Sequence, residues 1–171
     1  MIIKGNVEHT DILTKLGAET FYDSHWNSAP AKEVITYMDE VYNTNAIRSE
    51  LANPLNIYHL LKHEDNVVGF SKMQLDKTIK DFGEERFSKM DQIYLSKSFH
   101  GMKLGANLLN LNIAYSKGQG QLGMWLVVWV GNTSAISFYE KFGFEIIRKA
   151  EFQLTKTHIS PCYIMRLRYI V

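Results

Sequence analysis

"WLVVWVGNTSAISFYEKFGFEII", residues 125–147, decides the fold. It begins inside a run of seven apolar residues, 124–130, bounded by Gly123 and Gly131. An uninterrupted run of that length, rich in Val and Trp, reads as a strand covered on both faces. Asn132 follows, with a side-chain oxygen suited to the first free amides of a helix. Ala135, Phe138, Tyr139 and Phe142 then recur at helical spacing as its inward face. Gly143 ends that helix and Phe144 opens the next strand.

Working upstream, "RFSKMDQIYLS" (86–96) reads as another strand, with Met90, Gln92 and Tyr94 expected to alternate against Asp91, Ile93 and Leu95. A helix is predicted over 101–117, placing Leu104, Leu108, Leu111 and Tyr115 on one face. The strand–helix–strand unit so formed should be parallel with a right-handed crossover. "NIYHLLKHEDNVVGFSKMQL" (56–75) predicts a hairpin around Glu64, Asp65 and Asn66. A short strand over 1–7 and helices over 10–26, 31–42 and 45–52 precede it, the last stopped by Pro54. Thr10 or Asp11 can cap the first of these helices, whose Ile12, Leu13, Leu16 and Thr20 share a face. Downstream come strands near 145–154 and 162–170. The class is therefore α/β: a single domain over 1–171, with a mixed, mostly antiparallel sheet, a central parallel pair and helices on both faces.

Composition narrows the function. The 19 basic and 18 acidic residues nearly cancel, which removes the main electrostatic case for nucleic-acid binding. No apolar run approaches the ~18 residues that suggest a membrane span, and the first residues lack a signal-peptide core. Cys162 is the only cysteine, so an internal disulfide is excluded and a reducing, cytoplasmic location is expected. The six histidines (9, 25, 59, 63, 100, 158) show no metal-ligand spacing, so no metal is expected. There is no G-x-S-x-G, H-E-x-x-H or Walker loop.

"SFHGMKLGANLL" (98–109) lies where the parallel unit turns from strand to helix. A helix N-terminus presents unpaired amides and the positive end of its dipole, both suited to phosphate oxygens. Gly101 and Gly105 allow close backbone approach, and His100 and Lys103 carry basic side chains. Taken alone, the same glycines also fit an ordinary turn and helix–strand packing.

The pattern Asn132-x-x-Ala135-Ile136-x-Phe138-Tyr139-Glu140-Lys141-x-Gly143-Phe144 resembles motif B of the GCN5-related N-acetyltransferases. Leu95-x-x-x-x-His100-x-x-Lys103-x-Gly105 resembles their motif A, the acetyl-CoA pyrophosphate turn, in degenerate form. His100 stands at the Gln/Arg position and Lys103 at the first Gly. A position needing positive φ tolerates lysine poorly, so the turn is expected to be helical already at Lys103. Within the family, 19–26, 91–99 and 125–132 are most similar to the PaiA-type polyamine acetyltransferases.

The resemblance implies a parallel pair splayed for acetyl-CoA as cosubstrate. Main-chain contacts are implied from Ile93 and Leu95, and further contacts from the turn: His100, Gly101, Met102, Lys103, Leu104, Gly105 and Ala106. Asn132 and Tyr139 complete the cofactor side. The implied reaction is direct acetyl transfer to a primary amine, with Tyr139 as the acid that protonates the leaving thiolate. Asp91 is the candidate base, and Tyr94 is expected in the same cleft.

An amine of lysine-like pKa is neutral in only about one molecule in 10³ at pH 7, so deprotonation is worth roughly 4–5 kcal/mol of the barrier. A polyamine acceptor such as spermidine would call for carboxylates, for which Glu19, Asp23, Asp39 and Glu40 are candidates. A peptide or protein amine, an antibiotic amine, and an acyl-CoA-binding regulator with little turnover remain alternatives. The expected partners are a small amine or peptide, no nucleic acid and no membrane, with a homodimer possible. Cys162, after Pro161 in a late strand, is a poor acyl carrier.

Overall fold

The computed structural model describes residues 1–170. Seven strands form one sheet: β1 (Ile2–Lys4), β2 (Ile57–His63), β3 (Asn66–Gln74), β4 (Phe87–Leu95), β5 (Gly123–Trp129), β6 (Glu145–Thr155) and β7 (His158–Arg168). Their spatial order is β1-β2-β3-β4-β5-β7-β6, and only β4 and β5 are parallel neighbours. Helices α1 (Thr10–His25), α2 (Ala31–Val41) and α3 (Thr44–Ala52) cover one face. Helices α4 (Leu104–Gly118) and α5 (Thr133–Lys141) cover the other. The mixed, mostly antiparallel fold with a central parallel pair is the one expected; β7 simply begins earlier, at His158.

Alternation along the strands divides the core. On one face Leu13, Leu16, Val34 and Ile47 pack on Tyr58, Leu60 and Phe70. On the other, Leu109 and Tyr139 pack on Met73, Met90, Met124 and Leu126. The strict alternation expected for β4 fails at one point. Lys72 pairs with Gln92 but Met73 pairs with Met90, so Asp91 is an extra, bulged residue. The bulge reverses the parity. Met90 faces α4 and α5, whereas Tyr94 packs on the α1–α3 side and Gln92 donates to the Tyr42 hydroxyl at 3.2 Å.

Helix α4 is tied to the sheet by a buried polar set. Asn112 Oδ1 lies 2.9 Å from His59 Nδ1, and Asn112 Nδ2 donates to Ser71 Oγ at 2.8 Å and to the Leu108 carbonyl at 2.7 Å. Asn112 and Ser71 are fully buried. Truncating one member strands the others away from water. Asn112→Ala should therefore lower unfolding free energy by about 2–4 kcal/mol in urea titration. A loss within the range of an ordinary surface substitution would show that α4 is not anchored there.

Candidate active site

The parallel ladder between β4 and β5 is short. It pairs Phe87 with Gly123, Ser88 with Met124 and Lys89 with Trp125, and it stops there. Beyond it β4 remains paired to β3 and β5 to β7, so the two strands separate from each other. Gly123 holds the closed end tight. A Cβ there would lie 2.3 Å from the Phe87 ring and 2.4 Å from the Leu167 carbonyl oxygen.

Which main-chain groups face the opening follows from the ladder on the other side. Ser96 N–H donates to the Val68 carbonyl at 2.8 Å. Alternation in an antiparallel pair then directs Gln92 and Tyr94 toward β3 as well, and Ile93 and Leu95 toward the open side. The Leu95 carbonyl is taken by His100, whose Nε2 lies 2.9 Å away and acts as donor. Leu95 N–H and the main-chain groups of Ile93 are what β4 offers to the gap.

At the mouth of the opening sits the turn into α4. Gly101 has φ +81° and Lys103 has φ +60°. Lys103 is therefore left-handed, not helical, and the expectation of a helical turn at this residue is corrected. The turn needs a positive φ at the N-cap of α4 to swing the chain from the 97–99 turn into the helix, and lysine adopts it. A non-glycine residue there costs on the order of 1–3 kcal/mol.

No side chain caps α4, so its first amides are open. By contrast, Asn132 caps α5 as expected, accepting from Ala135 N–H at 3.1 Å. Around Gly105 a Cβ would meet only the tip of Phe138, at 4.0 Å. Protein packing does not require glycine at this position. Met102, Leu104 and Ala106 complete the same turn; the Met102 side chain is exposed.

On the α5 side, Tyr139 is 8% exposed and packs against Phe138 and Phe144. Burial raises its phenol well above the ordinary range, so it stays protonated at neutral pH. The phenol of Tyr94 on β4 is likewise raised, by burial first and then by the phenols of Tyr37 and Tyr139.

On the α1–α3 side lies a cleft of about 560 Å³. Aromatic residues from six elements wall it, among them Phe21, Tyr37, Tyr58, Tyr94, Trp129 and Phe152. Helix α2 is tied to the end of β6 and the turn after it by Glu33, which accepts from the Thr155 and Thr157 hydroxyls. Asp91 lies in this cleft, as expected of a base candidate, but its carboxylate is engaged. Lys89 is 2.5 Å from one oxygen and Lys72 is 3.5 Å from the other; Lys72 also pairs with Glu50.

Of the proposed acceptor carboxylates, only Glu40 reaches the cleft. Glu19 and Asp23 line a separate shallow depression beside Ser96 and Lys97, and Asp39 is exposed on α2. Cys162 faces the cleft from β7, opposite Trp129; burial raises its thiol to about 11. Several residues of the cleft are not singled out by the sequence, among them Glu50, His25 and Trp129. Glu50 lacks any local signal. His25 and Trp129 each have one, their positions in the 19–26 and 125–132 stretches. Among the described residues no group of His, Cys, Asp or Glu forms a metal site, and no helix is long and apolar enough to cross a membrane.

The site is thus a sheet opened at one parallel pair, with an amide-lined turn at its mouth and a cleft behind it. The model of the acetyltransferase (GNAT) family matches residues 18–144, and the chain belongs to that family. An uncharacterised N-acetyltransferase encoded 3′ of pepI in Lactobacillus delbrueckii subsp. lactis is 25% identical over 75% of this chain and 74% of its own. The PaiA N-acetyltransferase of Thermoplasma acidophilum, solved with coenzyme A, superposes with a TM-score of 0.80 at 19% identity, over 99% of this chain and 98% of its own. Arabidopsis thaliana NAA60, solved with acetyl-CoA, superposes with a TM-score of 0.71 at 14% identity, over 98% and 97%.

Lys103→Gly should remove the strain of the left-handed residue and raise stability by about 0.5–1 kcal/mol after the added chain entropy of glycine. Lys103→Ala, which keeps the strain, should not. Urea titration of the pair checks this; equal effects would mean that the side chain, not the backbone, governs the turn.

Proposed function

We propose that the chain transfers acetyl from acetyl-CoA directly to a small primary amine, within a ternary complex. The observation that carries this reading is the β4–β5 opening, with main-chain groups of β4 and the α4 turn directed to one ligand and a separate aromatic cleft behind for the other. The described chain acts as one catalytic unit.

The pyrophosphate lies on the open amides of the turn around Gly101, Met102, Lys103, Leu104, Gly105 and Ala106. The His100 ring, committed to the Leu95 carbonyl, shapes that turn. The pantetheine arm takes the place of a strand beside Ile93 and Leu95 N–H. Asn132 keeps α5 in place through its cap and faces the cofactor side. Amine attack breaks the thioester, and the departing sulfur takes the phenolic proton of Tyr139, which burial keeps in the donor form. A carrier role for Cys162 is disfavoured: with a thiol pKa of about 11, only about one in 10⁴ is thiolate at pH 7.

For the acceptor, three carboxylates in an aromatic cleft (Glu40, Glu50 and Asp91) favour a cationic amine such as spermidine. One observation favours a monoamine or a peptide α-amine instead. Lys72 and Lys89 already pair with Glu50 and Asp91, so Glu40 is the cleft carboxylate without an ion pair among the described residues. A homodimer would use the β6 edge of the sheet, where Ile146 is exposed. The single buried thiol suits a reducing cytoplasm.

Thiol release from acetyl-CoA with spermidine, monoamines and a peptide panel decides the acceptor class. Coenzyme A binding with no transfer to any amine would make the protein a regulator. With the acceptor found, Tyr139→Phe should lower kcat by about 10²–10⁴-fold while coenzyme A still binds. Cys162→Ala should keep turnover; a loss matching that of Tyr139→Phe would mean an acyl-enzyme.

A further inference from the structure

His25 ends α1 in the acceptor cleft. Its ring stacks on Phe21 with centroids 4.4 Å apart and planes 11° apart. It stands 6.4 Å from the Tyr94 ring of β4 and 6.5 Å from the Trp129 ring of β5, between the two strands that separate. Its Nδ1 lies 3.2 Å from the Phe21 carbonyl oxygen. A carbonyl only accepts, so Nδ1 carries the proton and the Nε2 lone pair is the ring's one free acceptor.

We infer that His25 is the proton acceptor for the amine, a role that rests on the acetyl-transfer reading above. Asp91, the other candidate, has both carboxylate oxygens beside lysine ammonium groups, whereas the imidazole has no such partner among the described residues. Burial is the main influence on the ring and lowers its pKa below 6.5; the bond to Phe21 opposes it. The neutral, proton-accepting form therefore prevails at pH 7 and is lost as pH falls through that lowered value.

The other titratable groups of the cleft are Tyr37 and Glu40 from α2, Asp91 and Tyr94 from β4, and Cys162 from β7. Lys72, Lys89 and Glu50 lie at the closed end, with Tyr58 beside them. Burial puts Tyr37 up to about 12 and Cys162 up to about 11, and raises Tyr94 and Tyr58 further, so none of these hydroxyls or thiols titrates near neutrality.

The ammonium R–NH₃⁺ gives one proton to Nε2, which releases it to solvent. The freed lone pair forms the C–N bond, and the C–S bond breaks with its electron pair on sulfur. Sulfur takes the Tyr139 proton, and the nitrogen's second proton restores the phenol. The sum is one amide, one thiol and one proton released.

A site that takes the ammonium and removes its proton has a distinct pH signature. For the wild-type protein, kcat/KM against total amine should level off above the His25 pKa and stay level through the cationic range of the amine. Without a base it should rise tenfold per pH unit up to the pKa of the amine, and that slope in the wild type would overturn the inference. His25→Gln can still donate to the Phe21 carbonyl. It should lose about 10²–10⁴-fold in kcat/KM at pH 7 and convert the plateau into the tenfold-per-unit rise. The loss should shrink for a β-fluorinated analogue of the same amine, already neutral at pH 7. An equal loss for both amines would make His25 structural and reject the role. The wild-type profile decides the matter even if the variant does not fold. Absence of any wild-type turnover would count instead against acetyl transfer itself.

Discussion

Between β4 and β5 the backbone ladder lasts for three residue pairs and then stops. The proposed function depends on that divergence. Two neighbouring parallel strands normally satisfy each other's amides and carbonyls along their length. Here they meet at Gly123, where no side chain fits, and part where Asp91 adds a residue to β4. The groups left open at Ile93 and Leu95 need a partner. In the proposed complex that partner is an extended ligand, which makes cofactor binding an extension of the sheet.

The same divergence sorts the chemistry by face. Met90 and Met124 close the sheet toward α4 and α5, where the phenol of Tyr139 is kept protonated by burial. The bulge turns Gln92 and Tyr94 to the opposite side, where α1 brings His25 up to the gap. In the proposed reaction a proton donor and a proton acceptor are thus supplied from different layers, in environments that push their titrations apart. The turn at Gly101 and Lys103 accepts a strained residue at the point where α4 must leave its amides open.

Much of this was legible in the sequence. The apolar run 124–130, the Asn132 cap and the helical spacing of Phe138 and Tyr139 are local signals, and each element formed where the residues required it. The residues of the turn into α4 were equally visible. What could not be read was non-local. The bulge at Asp91 exists because β3 and β4 differ by one residue in register, and no pattern within β4 shows it. The pairing of Asp91 with Lys72 and of Lys72 with Glu50 joins three elements distant in sequence. Lys103 takes a positive φ against the preference of its side chain because the surrounding turn demands it, and that demand is not local. His25 was one histidine among six until α1 was laid against the opening.

The most direct test of the account is backbone hydrogen exchange with and without coenzyme A. Ligand should slow exchange in two segments together, 91–95 of β4 and 101–106 of the turn, while β1 and β2 remain as they were. Binding that protects neither segment, or only the aromatic cleft of α1 and α2, would contradict the claim that the gap between β4 and β5 receives the cofactor.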